Sequence, residues 1–288
     1  MNVWTWILWA LCLSAVLGLS LVGYILARVQ RLPALRPGTL ASFRHRISNS
    51  SQVVVCAGDS LTHGSVSCPW VEELQAQPDM VGYFFINAGI NSELAWNLLQ
   101  RLDPIVECRP QHLIILIGTN DVLASAGETN RRRYIKSNRL PQSPSVEWYQ
   151  QNLTAIVQTL KQKTQARIAL LSLPLVTEDL TDPVHAILEQ HVEAIKAVAH
   201  QESVTYLPLF EQQVEALRRA GHTSRQRFRE GLALPIQGFF HLFLQGGTLD
   251  ELAQKNGFLF LTDGIHLGSR GGDQIKALVR TFLQQPTS

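Results

Sequence analysis

Four short blocks carry the side chains able to make and break covalent bonds. They read Gly58-Asp59-Ser60-Leu61, Asn87-Ala88-Gly89, Gly118-Thr119-Asn120-Asp121 and Asp263-Gly264-Ile265-His266. A serine hydroxyl attacks a carbonyl only once a base takes its proton. Histidine does this near neutral pH. A carboxylate on the other ring nitrogen fixes the tautomer and stabilises the imidazolium. Ser60, His266 and Asp263 supply these three groups. The tetrahedral adduct then needs donors aimed at its oxyanion. The backbone N–H groups of Ser60 and Gly89 and the side-chain amide of Asn120 are the candidates, and Gly89, without a Cβ, allows a close backbone approach. His63 stands three residues after Ser60 and competes for the role of base. In a turn entering a helix it reads instead as lining the pocket or facing solvent. Asp59 and Asp121 read as scaffold groups, Asp59 bonding backbone amides of its own turn.

These residues act together only if the chain gathers them. Apolar runs at 52–57, 83–87, 112–117, 167–173 and 204–207 read as strands of a parallel sheet covered on both faces. Helical patterns near 69–77, 92–102, 145–164, 183–201, 211–220 and 272–284 alternate with them. The alternation predicts one doubly wound α/β domain over residues 52–288. In such sheets ligands bind beyond the carboxyl ends of the strands, where the first three blocks fall. Two segments break the pattern. Residues 124–144 read as a long connection carrying Arg131, Arg132, Arg133, Lys136 and Arg139, either solvated or touching an anionic headgroup or the membrane surface. Residues 228–257 are apolar around 232–244 and read as a buried helix or as a roof over an acyl pocket. His185, His191 and His200 fall on one helix and read as surface residues.

The four blocks, with Thr62-His63-Gly64 after the first and Ile90-Asn91-Ser92 after the second, resemble the SGNH, or GDSL-type, serine hydrolases. The resemblance runs from about Val53 to the C-terminal helix. It implies a flavodoxin-like three-layer α/β/α sandwich with a five-stranded parallel sheet. It also implies Ser60 as nucleophile, His266 as base, Asp263 as its partner, and Ser60, Gly89 and Asn120 as the oxyanion hole. Leu267 departs from the family, where proline commonly follows the histidine. No HxxxH or carboxylate cluster suggests a metal, and neither a metal nor a cofactor is expected.

The chain has 288 residues, of which 45% are apolar and 17% charged. That excludes disorder as the main state. The net charge of +2 is too small for a whole-chain nucleic-acid binder, so no nucleic-acid partner is expected. The mean hydropathy of +0.03 is high for a soluble enzyme, and the excess sits at the front. Residues 1–27 contain no charged residue and no histidine. Trp4, Trp6 and Trp9 lie near one end and Tyr24 near the other, as in an interfacial belt. This stretch is expected to be one transmembrane helix. A cleaved signal peptide, its competitor, needs a basic start and a shorter apolar core. Arg28, Arg31, Arg36, Arg44 and Arg46 follow in a basic linker, 28–51, and place the catalytic domain on the cytoplasmic side. Beyond them 20 basic residues face 23 acidic ones, a mildly acidic domain. Cys56, Cys68 and Cys108 show no CxxC spacing and read as buried thiols. The expectation is a membrane-anchored serine ester hydrolase that forms an acyl-enzyme on a lipid or other acylated substrate. An O-acyltransferase using the same acyl-enzyme and a degenerate ligand-binding protein are the alternatives.

Overall fold

The computed structural model describes residues 52–224, 226–231 and 233–285, together with positions 4–7, 9, 12–14, 16, 18, 20, 23 and 24. The chain divides into two units, Met1–Arg31 and Leu32–Ser288. In the first, the described positions are helical, and Trp4, Trp6, Trp9, Leu13, Val16 and Tyr24 are exposed. No helix among the described residues is long and apolar enough to cross a membrane. The transmembrane helix expected over 1–27 lies in large part outside the described residues. The basic linker 28–51 lies outside the described residues.

The second unit begins with β1 (Gln52–Gly58), α1 (Ser60–His63), α2 (Trp70–Gln75) and a 3-10 turn at Pro78–Met80. Next come β2 (Tyr83–Gly89), α3 (Ala95–Leu99), α4 (Leu102–Glu107), β3 (His112–Leu116), α5 (Thr119–Ser125) and α6 (Glu128–Asn138). Then follow α7 (Val146–Lys163), β4 (Arg167–Leu171), α8 (Val184–Gln201), β5 (Thr205–Leu207) and α9 (Leu209–Ala220). The chain closes with α10 (Ala233–Phe243), α11 (Leu249–Asn256) and α12 (Ser269–Gln284). Every expected strand forms. The first two run slightly further than the sequence suggested, since β1 and β2 stay paired up to Gly58 and Gly89.

The sheet is parallel in the order β2-β1-β3-β4-β5. Right-handed crossovers dictate the layers. The step from β1 to β2 runs one way along the sheet and the later steps run the other, so their helices fall on opposite faces. Accordingly α7 packs on α3, α4 and α8, while α12 packs between α2 and α9. Val53 to Ala57 and Leu113 to Leu116 are all buried, so these strands are covered on both faces. Each valine, leucine or isoleucine among them contributes about 1.5–3 kcal/mol relative to exposure.

Three readings need correction. Residues 124–144 are not one long connection, because α5 and α6 occupy much of it. Glu128 pairs with Arg131 and Arg132 one turn on, which supports α6. His185 and His191 are buried, because they lie on the α8 face that packs against the domain, and burial pushes both below the ordinary histidine value. Only His200 of the three is exposed. Residues 228–257, read as a buried helix or as a roof over an acyl pocket, do not form a fully buried helix. α10 exposes Ile236 and Phe240 while burying Gly238.

Candidate active site

The order of the strands reverses between β1 and β3, and a crevice opens at such a switch point. Ser60 follows β1 and Asn120 follows β3, so the two flank it. Asp59 caps α1, its Oδ1 accepting from Leu61 N at 3.0 Å. Gly64 ends the helix in the left-handed region, donating to Ser60 O. One turn of helix thus holds the hydroxyl at the strand's end.

His266 arrives from 206 residues away in sequence. Its turn is built by Asp263, whose Oδ1 accepts from Ile265 N at 3.1 Å and His266 N at 2.9 Å. Gly264 between them takes φ 85°, which suits a residue without a Cβ. A bridge between Leu261 and Leu267 closes the loop. Leu267 N donates to Ser67 Oγ at 3.0 Å, and Cys68 N donates to Leu267 O at 2.8 Å. These bonds fasten the turn to the segment just after α1. Ser60 Oγ then lies 3.0 Å from His266 Nε2, and His266 Nδ1 lies 2.8 Å from Asp263 Oδ2. With its proton on Nδ1, the imidazole donates to Asp263 and accepts from Ser60. Burial alone would push His266 down, but the Asp263 carboxylate outweighs it and holds the imidazole above its ordinary value. Burial would raise Asp263, and the imidazole with its hydrogen bonds holds it low instead.

On the other side, Asn120 Nδ2 donates to Glu93 O at 2.9 Å and is only loosely held by Asp59 Oδ2 at 3.4 Å. Its Oδ1 accepts from Tyr134 Oη at 2.6 Å. That bond fixes which way the amide faces. Gly89 is packed hard against α1: a Cβ there would stand 2.3 Å from His63 N and 2.7 Å from Thr62 C. Its own N–H donates to Asn87 Oδ1 at 3.0 Å. Ser92, three residues on, is exposed and left-handed at φ 65°. It adjoins the Glu93 carbonyl that binds Asn120.

His63 is buried in α1. Two carboxyls sit beneath the site. Burial pushes Asp59 up to about 7 and Asp121 up to about 8. Asp121 Oδ2 accepts from Ala95 N at 3.1 Å, tying α3 to β3's exit. Sequence reasoning missed Tyr134, hidden in the supposed connection. It also missed Glu178, whose carboxylate accepts from Leu259, Phe260 and Leu261 N at 2.6, 2.7 and 2.9 Å. The Glu128–Arg131–Arg132 spacing was the signal for the first; an isolated glutamate gave none for the second.

A cavity of about 240 Å³ lies beside the acid end of the triad. Asp263, Arg133, Phe228, Pro235, Gln237 and Phe258 line it. α10 reaches this region through Gly238, where a Cβ would lie 3.4 Å from Asp263 Cβ. Among the described residues no group of three or more His, Cys, Asp or Glu side chains is placed to hold a metal.

A hydroxyl, an imidazole and a carboxylate in one hydrogen-bonded line at a sheet's switch point suit acyl transfer through a serine ester, which is the chemistry of the serine ester hydrolases. Residues 56–271 match the model of the GDSL-like lipase/acylhydrolase family, and the chain belongs to that family. It is a serine hydrolase of carboxylic esters. Among solved structures it is similar to Axe2, an acetylxylan esterase from Geobacillus stearothermophilus. The TM-score is 0.56 at 16% identity, covering 82% of this chain and 96% of that one. It is also similar to the acetyl xylan esterase AlAXEase, with TM-score 0.57 at 14% identity, covering 80% and 99%. At these identities the likeness speaks for the fold. None of the curated proteins compared with the chain matches it.

Proposed function

We propose that Ser60 attacks an ester carbonyl while His266 takes its proton and Asp263 steadies the imidazolium. The alcohol leaves with that proton, and water, activated by the same histidine, releases the acid from the acyl-enzyme. The single observation that carries this reading is the line from Ser60 Oγ to His266 to Asp263, at 3.0 and 2.8 Å. For the oxyanion, the donors are the Ser60 N–H and Asn120 Nδ2. The second strand's exit contributes through its loop. Gly89 was the expected donor there, but its N–H is already taken by Asn87, which favours the amide of Ser92, the residue before the Glu93 carbonyl that Asn120 binds, with Gly89 making room for α1.

A fluorophosphonate probe should label the wild-type chain at Ser60 and leave Ser60→Ala unlabelled. Hydrolysis of a short-chain nitrophenyl ester that survives in Ser60→Ala would overturn the assignment.

The charge-free residues 1–27 and the arginines behind them support a second element of the reading, a tether to the bilayer with the enzyme on its cytoplasmic side. The substrate is then an acylated molecule near that surface. Flotation with phosphatidylserine-containing vesicles tests the tether. The full chain should rise with the vesicles, and the chain lacking residues 1–31 should not.

A further inference from the structure

The charges around the cavity beside Asp263 are unequal in their commitments. Glu230 is spent on the start of α6, accepting from Thr129 N at 2.7 Å and Asn130 N at 3.2 Å. Asp263 is spent on His266. Arg227 lies 3.6 Å from Asp179. Arg131 and Arg132 are paired with Glu128. Arg133, next along α6, lines the cavity instead, and its Nε is buried without a hydrogen-bond partner among the described residues. Arg229 lines the same cavity. A guanidinium carries the fork geometry that matches a carboxylate or a phosphate. The Arg133 guanidinium lies 4.5 Å over the ring of Tyr134, the residue whose hydroxyl holds Asn120. An anion seated on Arg133 would therefore lie between Asn120's support and the acid of the triad.

We propose that this cavity seats an anionic group carried by the substrate, with Arg133 as its counter-ion and Arg229 at its rim. The inference rests on the ester-hydrolase reading and narrows it to esters bearing a carboxylate or a phosphate. The charge sits on either the acyl or the alcohol half of the ester, and two substrate pairs separate these sources. One pair is 4-nitrophenyl hydrogen adipate and its methyl ester. The other is 1-acetylglycerol 3-phosphate and 1-acetylglycerol.

In at least one pair the full chain should prefer the anion by about 10-fold in kcat/KM, the size of one charge-assisted hydrogen bond. That preference should fall to near unity in Arg133→Gln and be partly kept in Arg133→Lys. Labelling of Ser60 by the fluorophosphonate in each variant shows that it has folded. Equal rates within both pairs in the wild type would overturn the proposal. A binding measurement keeps it separate from catalysis: Ser60→Ala is titrated calorimetrically with methyl hydrogen adipate, dimethyl adipate and glycerol 3-phosphate. Tighter binding of either anion than of the diester, lost in Ser60→Ala/Arg133→Gln, upholds the anion site even if no ester is hydrolysed. No preference for the anions sinks it even if neutral esters are turned over.

Discussion

Ser60, His266 and Asp263 are readable as a unit because each has a different chemical task, and hydrogen-bond geometry joins them in that order. Asn120 depends on a residue of its own. Tyr134 donates to its Oδ1 at 2.6 Å, so the amide presents N–H rather than C=O toward the site. Asn120→Ala should lower kcat by about 10²–10³-fold, the usual loss of one oxyanion donor. Tyr134→Phe removes only the positioning bond. It should lower kcat by about 10-fold with KM little changed, because a loosened amide fails chiefly in the transition state. Steady-state kinetics on one nitrophenyl ester checks both; a Tyr134→Phe effect confined to KM would contradict the positioning role. Asn120 was legible from its block. Tyr134 was not, because local spacing carries no mark of which residue a tyrosine hydroxyl will reach.

Elements deliver these residues through a few buried fasteners. The Asp263–His266 turn comes late in the chain and must be held against β1's exit. Glu178 does much of this from the loop after β4, with a fully buried side chain that receives three consecutive backbone N–H groups. Glu178→Gln keeps the volume but puts an amide donor against one of those groups. It should cost about 3 kcal/mol and lower kcat as the turn loosens. Urea unfolding and kinetics on the same variant check this, and an unchanged midpoint would contradict it. Arg101 plays a related part, pairing with Glu93 at 2.7 Å and donating to Ala88 O at 2.9 Å. The strands were legible from their apolar runs. α6 was missed because its arginines resembled a solvated loop, although Glu128 was spaced to pair with them.

Across the whole molecule the site is a meeting of opposed proton affinities. His266 and the hydrogen bonds of the turn hold Asp263 low while Asp263 raises His266, so the neutral base is lost at a higher pH than for a free imidazole. The acid limb of kcat/KM should therefore centre above about 6.5. Asp121 behaves oppositely. Burial raises it from 3.8 to about 8, so the folded state favours its protonated form. That contribution is whole below the unfolded value and is lost as pH rises from about 4 through about 8. Asp121→Asn keeps an acceptor for Ala95 N and abolishes the loss. Its Tm relative to wild type should be at least about 3 °C more favourable at pH 9 than at pH 5. Thermal unfolding at the two values decides, and an equal difference at both would refute the assignment.

The sequence by itself determined the strands and the chemistry borne at their exits. Continuous apolar runs allow only strands covered on both faces, and a serine, a histidine and an aspartate at loop positions have few joint uses. It also located the apolar, charge-free start and the basic stretch behind it. Only the tertiary structure decided which groups are already spent. Gly89 bonds to Asn87 and packs on α1, and Glu230 holds α6, while Arg133 keeps a buried N–H without a partner among the described residues. Such commitments arise between residues far apart in the chain. They depend on the distances at which packed helices come to rest, and local spacing carries no record of those distances.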